Sequence, residues 1–180
     1  TEASEDGSVV RILRAGRGPG DNVRRAGEDI AAGDECVPAG RPIEAADLGL
    51  LASQGVRGVS CVRRPIVAIL STGDEVQLLG ESLEPGHIYC GNSHALSALV
   101  SEAGAIPRFL GIARDNPESL RAHFEKVPGC DALVTIGGVS VGDFDFVRDV
   151  ASELGAQQLF WKVAMRPGKP NAYGTLHGVP

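Results

Sequence analysis

Acids, bases and glycines cluster at four points of this chain, each just after an apolar run. The first is Ser71-Thr72-Gly73-Asp74-Glu75 and the second Arg114-Asp115-Asn116. The third is Gly137-Gly138-Val139-Ser140-Val141-Gly142-Asp143-Phe144-Asp145, and the fourth Arg166-Pro167-Gly168-Lys169-Pro170. Glu75, Asp115, Asp143 and Asp145 are hard oxygen donors suited to Mg2+. Arg166 and Lys169, with Lys162 upstream, suit a phosphate or another oxyanion. Gly137, Gly138 and Gly142 let backbone come close to a ligand and offer N–H groups at a helix start. Together they describe an anionic, phosphorylated substrate held with a divalent metal.

Each cluster also has a plain structural reading. Glycines after a strand make a turn. Asp143 could simply cap the next helix. RPGKP could be a solvated loop. The functional reading rests on convergence of all four at one edge of a sheet.

Known motif classes narrow the chemistry. Gly137 to Gly142 has the spacing of a phosphate-binding P-loop, but Asp143 stands where the lysine is needed. GxGxxG is absent from this turn, so a dinucleotide site is unsupported. Ser140 sits in GVSVG, formally a nucleophile elbow, yet no histidine partner is evident. His87, His94, His123 and His177 share no spacing.

The elements that must position these residues follow from periodicity. Residues 66–71, 106–112, 131–136 and 157–165 read as strands. Residues 92–104, 116–127 and 144–155 read as helices. The first takes Asn92 or Ser93 as its cap and Leu96, Leu99, Val100 and Ala103 as its apolar face. The second starts at Asn116-Pro117. The third is apolar at Phe144, Val147, Ala151 and Leu154. Strand and helix alternate three times, which predicts an α/β fold, a parallel sheet flanked by helices. All four strand ends then share the carboxyl edge, where such sheets bind ligands. Upstream, residues 9–13 read as a strand. Residues 43–55 read as a helix with Ala45, Leu48, Leu51 and Ala52 on one face, and a boundary falls near 63–65.

Composition bounds the remaining classes. Apolar residues make 43% of the 180, and charged ones 22%, which predicts a packed core. A net charge of −6 argues against nucleic acid as a partner. The four cysteines form no CxxC pair and read as reduced thiols, with no zinc spacing. No apolar run reaches 18 residues and no signal-peptide pattern opens the chain, so no membrane role and a cytoplasmic location are expected. The start without Met and the end at TLHGVP suggest a fragment with both flanks missing.

STGDE (71–75), GGVSVGDFDF (137–146) and KVAMRPGKP (162–170), in this order, resemble the MoeA family of molybdopterin molybdenumtransferases, to which the gephyrin E-domain is related. VRRAGEDIAAGDECVPAG (23–40) resembles the segment ahead of that domain. The resemblance implies insertion of molybdenum from molybdate into adenylylated molybdopterin, with release of AMP and a requirement for Mg2+. It implies a MogA/MoaB-like fold over 64–180, C-terminally truncated, a small α+β lobe over 23–63, and 1–22 as the end of a β-rich domain or a linker. It also implies a homodimer with a shared cleft and a contact with a MogA-type adenylyltransferase.

Matched residue by residue, Glu75, Asp115, Asp145 and Lys162 take catalytic roles, with Glu75 and Asp145 also on the metal. Thr72, Gly73, Asp74, Gly137, Gly138, Ser140, Gly142, Arg166 and Lys169 bind substrate. Arg24 and Asp29 join them from the preceding lobe. Arg166 stands where the family often has Lys, so charge is kept and geometry changed. Competing readings are a MogA-like adenylyltransferase, a CinA-like protein, or a non-catalytic pterin-binding scaffold.

Overall fold

A computed structural model describes residues 2–13, 16, 18–138 and 146–180. The chain divides into two compact units, Thr1–Cys61 and Val62–Pro180.

In the first unit β1 (Glu2–Ala3) pairs antiparallel with β2 (Val10–Arg11). The expected strand at 9–13 is thus cut to two residues. Helix α1 (Ala45–Ser53) starts at Glu44, whose N–H donates to the Asp47 carboxylate at 2.8 Å. Asp47 is buried and takes a two-pronged contact from the Arg41 guanidinium, at 2.5 and 2.7 Å. The expected apolar face is not the buried one, because Leu48 is exposed while Asp47 is covered. A bidentate ion pair can be buried where a lone acid cannot.

In the second unit β3 (Ile66–Thr72) is the central strand. Its run of β-branched and aliphatic side chains is almost wholly buried from Ala68 onward, as expected of a strand covered on both faces. After β3 come two short strands that periodicity did not reveal, β4 (Val76–Gln77) and β5 (Ile88–Tyr89), paired parallel. Then follow α2 (Gly91–Glu102), β6 (Ile106–Ala113), α3 (Pro117–Phe124), β7 (Ala132–Ile136) and α4 (Phe146–Glu153). The sheet order is β6-β3-β7, all parallel.

Alternation along β3 sorts the helices. Leu70 belongs to the main core with Leu120 and Phe124 of α3 and Val147 and Val150 of α4. Ser71 points the other way, where its Oγ meets Cys90 Sγ at 3.0 Å beside the start of α2. Helix α2 therefore covers one face and α3 with α4 the other. Phe146 packs against the main core.

Two helix starts differ in an instructive way. Asn116 caps α3 as expected, accepting from Ser119 N–H at 2.8 Å. Helix α2 begins earlier than expected, with Cys90 at the cap position. Ser93 is fully buried and turns its hydroxyl back to the Cys90 carbonyl at 2.8 Å. Leu99, expected on the apolar face, is exposed.

The expected fourth parallel strand is corrected. Gln157–Trp161, β8, pairs antiparallel with β9 (Ala172–Thr175) in a separate two-stranded sheet. A partner ten residues on closes a cheaper loop than a distant one. Gly174 also lets the Gln157 carbonyl in to 2.5 Å of where a Cβ would stand. At β7, Leu133 N–H is taken by the Pro180 carbonyl at 2.8 Å.

Candidate active site at the carboxyl edge of the sheet

From β3 the chain crosses by α2 to β6 on one side. From β6 it returns past β3, by α3, to β7 on the other. Strands β3 and β7 are thus neighbours whose following helices lie on opposite faces. Their carboxyl ends form a topological switch point, where sheets of this class leave a crevice for ligands. Thr72 ends β3 and Ile136 ends β7, and Thr72 Oγ1 donates to the Ile136 carbonyl at 3.2 Å.

The glycines beyond β7 also have a packing reason that the sequence did not show. Gly138 has φ +67, and a Cβ there would run into the Val147 side chain. At Gly137 a Cβ would stand 2.6 Å from Thr72 Oγ1. The room left by the missing side chains is filled by the protein itself, tying the β7 end to Thr72 and to the first turn of α4. Gly73 is similar. It is buried, with φ +135, and the Glu75 carboxylate folds back to 2.6 Å of its absent Cβ.

Three carboxylates meet at this edge. Asp115 donates its backbone N–H to Asp74 Oδ1 at 3.1 Å. Its own carboxyl is pushed above the ordinary aspartate range, first by burial and further by the charges of Asp74 and Glu75, while an interaction of that carboxyl with the Asp74 backbone opposes them. Arg114, next door, does not neutralise the group. Its guanidinium donates to the Asp74 carbonyl at 2.8 Å instead. Glu75 and Asp74 are exposed and Asp115 half-buried.

The basic segment meets the start of α4. Val147, which fills the space at Gly138, precedes Arg148. The Arg148 guanidinium lies 4.6 Å from the centre of the Trp161 ring, and Lys162 Nζ lies 4.0 Å from it. Lys162 sits at φ +69, unusual for a side chain of its size. Its N–H donates to the Asn171 carbonyl at 2.7 Å. Arg166 and Lys169 are exposed in the connection from β8 to β9. Although β8 is outside the parallel ladder, its carboxyl end still lies by the start of α4. Arg148 and Trp161 carry no spacing signal; only the stacking of one on the other brings α4 and β8 together.

Ser140, Gly142, Asp143, Phe144 and Asp145 lie outside the described residues. Arg24 and Asp29 belong to the first unit, where they form an exposed ion pair with each other. A cavity between α4, β7 and the β8–β9 hairpin is lined by Phe124, Leu133, Val147, Tyr173 and Leu176 among others, with no Asp or Glu side chain among the described residues that line it.

Residues 68–179 match the family described as a probable molybdopterin binding domain, and residues 1–55 match the MoeA N-terminal region (domain I and II). The chain belongs to the MoeA family. Relatives named molybdopterin molybdenumtransferase include one from Nostoc sp., 41% identical over 163 residues, and one from Bacillus subtilis, 41% identical over 165. These alignments take in 90% and 91% of the chain, but 37% and 38% of the relatives. The chain therefore spans less than half the length of these MoeA relatives. A crystal structure of a molybdopterin biosynthesis MoeA protein from Pyrococcus horikoshii superposes with a TM-score of 0.75 at 37% identity, over 86% of this chain and 38% of that one. A molybdenum cofactor biosynthesis protein from Pyrococcus furiosus gives 0.55 at 27% identity, over 82% and 43%. Among the described residues no helix is long and apolar enough to cross a membrane.

Proposed function

We propose that this MoeA chain carries part of the machinery that inserts molybdenum from molybdate into adenylylated molybdopterin, releasing AMP. The observation that carries the reading is the meeting of Asp74, Glu75 and Asp115 at the carboxyl ends of the neighbouring strands β3 and β6. Thr72, Gly73 and Asp74, the Gly137–Gly138 turn, and Ser140 with Gly142 are the proposed wall for the pterin and its phosphate. Lys162, Arg166 and Lys169 balance the negative charge of molybdate and phosphate.

Each oxo group that leaves molybdate as water needs two protons. Asp115 holds its proton more tightly than an ordinary aspartate, and so is the proposed donor at this edge. Glu75 and Asp145 orient the oxyanion beside it.

The donor chemistry fits Mg2+, since close carboxylates that raise one another's proton affinity also favour a divalent cation. Among the described residues no set of three His, Cys, Asp or Glu groups is placed to hold a metal. Glu75, with Asp145, is the proposed holder, where the ion would offset substrate charge. The intact protein is proposed to be a cytoplasmic homodimer supplied by a MogA-type adenylyltransferase.

The test is molybdenum cofactor synthesis by the full-length protein carrying Glu75→Gln or Asp145→Asn. A fall of at least about 100-fold, the scale of one lost proton-transfer or charge-stabilising group, is expected in both. Normal synthesis by both variants overturns the proposal.

A further inference from the structure

Arg148 lies in the first turn of α4 and Lys162 just beyond β8, yet both place their charge on one indole, at 4.6 and 4.0 Å from the centre of the Trp161 ring. The two cations are therefore within about one Debye length (about 8–10 Å), too close for salt to screen their repulsion fully. The ring face attracts each of them, and among the described residues no strong anion balances the pair. Among the described residues Lys162 makes no salt bridge, and Arg148 has only its exposed neighbour Asp149, at 3.5 Å. An adjacent, exposed pair of that kind is weak.

The backbone is also set for this arrangement. Lys162 is held in the left-handed region at φ +69, its N–H fixed on the Asn171 carbonyl. Such a conformation costs free energy and persists where the surroundings impose it. Two cations with no strong counter-anion among the described residues, held by an aromatic ring and a constrained backbone beside a helix start, match the charge of a doubly negative ligand.

We propose that Arg148 is a further oxyanion-binding residue, paired with Lys162 on Trp161 to take one tetrahedral oxyanion, molybdate or a phosphate monoester. The inference rests on the functional reading of Lys162 given above. The plain alternative is that the stack only glues α4 to β8.

Trp161 is the one tryptophan in the chain, so its fluorescence reports on the stack. The 180-residue chain would be titrated with sodium molybdate and, separately, with AMP, at constant ionic strength. A saturable change with either ligand is expected, and which one produces it distinguishes the metal oxyanion from the phosphate ester. Arg148→Met, which keeps most of the packing and removes the charge, should weaken that binding by about tenfold or more, and Arg148→Lys should recover most of it. Calorimetric titration of Arg148→Gln gives a second reading should the Met variant not fold. Equal affinity in the wild type and the folded charge-free variant overturns the inference, as does a signal that sodium chloride reproduces. Failure of the functional reading appears elsewhere, as normal cofactor synthesis with Glu75→Gln and Asp145→Asn.

Discussion

Asp115 illustrates how a residue's chemistry is set by its neighbours. Position at a strand end marks Asp115 in the sequence, but its raised proton affinity comes from burial and the charges of Asp74 and Glu75. A carboxyl whose pKa is raised on folding contributes most below its ordinary range, and that contribution is lost as pH climbs through the raised value. At neutral pH the charged group is a burden on the fold. Asp115→Asn should therefore be as stable as the wild type or more so at pH 7, with molybdenum insertion lost; denaturant midpoints and cofactor synthesis check the two halves. Lys162 makes the same separation by backbone. Lys162→Gly should relieve about 1 kcal/mol or more of left-handed strain and hold or raise the melting temperature. Insertion activity should fall with the lost charge, and a variant that melts lower and works normally would refute this.

Among the elements, α4 joins the most parts of the site. Val147 fills the space at Gly138, Val150 enters the main core, and Arg148 reaches Trp161. Gly138→Ala should cost about 1–3 kcal/mol from the backbone conformation alone, and more because its Cβ meets Val147. Chemical denaturation of the variant measures it. Strands and helices with local signals were legible in the sequence. Asn116-Pro117 announced α3, and the β-branched run announced β3. Helix α2 was misjudged at its start because a buried Ser93 bonding to Cys90 reads, in one dimension, as an ordinary cap. The short pair β4–β5 has two residues per strand, too few for any period. At Gly137 and Gly138 the packing against Thr72 and Val147 was not legible, because a glycine needed by a ligand and one needed by a neighbouring side chain look alike in sequence.

At the scale of the second unit, the amino edge of the sheet is closed by contacts far apart in the chain. Arg63 grips Asp131, 68 positions away, with contacts of 2.5 and 2.6 Å, and Asp131 also accepts from Ile66 N–H at 2.7 Å. The guanidinium first, then the backbone donor, hold the Asp131 carboxyl down at about 2. A depressed carboxyl stabilises the fold above its ordinary pKa and stops doing so as pH falls through the depressed one. Stability should thus decline from the ordinary 3.8 toward about 2, and Arg63→Ala should flatten that part of the profile. An unchanged acid limb in denaturation measured across this range would count against it.

The sequence by itself determined the alternation of strand and helix and the α/β class. It also placed acids, bases and glycines after successive strands, because these depend on local periodicity and on residue type. It carried the family motifs at 71–75, 137–146 and 162–170. Only the tertiary structure decided that β8 leaves the parallel ladder to pair with β9. It alone made β3 and β7 the neighbours at the switch point, and brought Trp161 under Arg148 and Lys162. Pairing of strands and stacking of side chains depend on which surfaces meet in space, and no short stretch of chain records that.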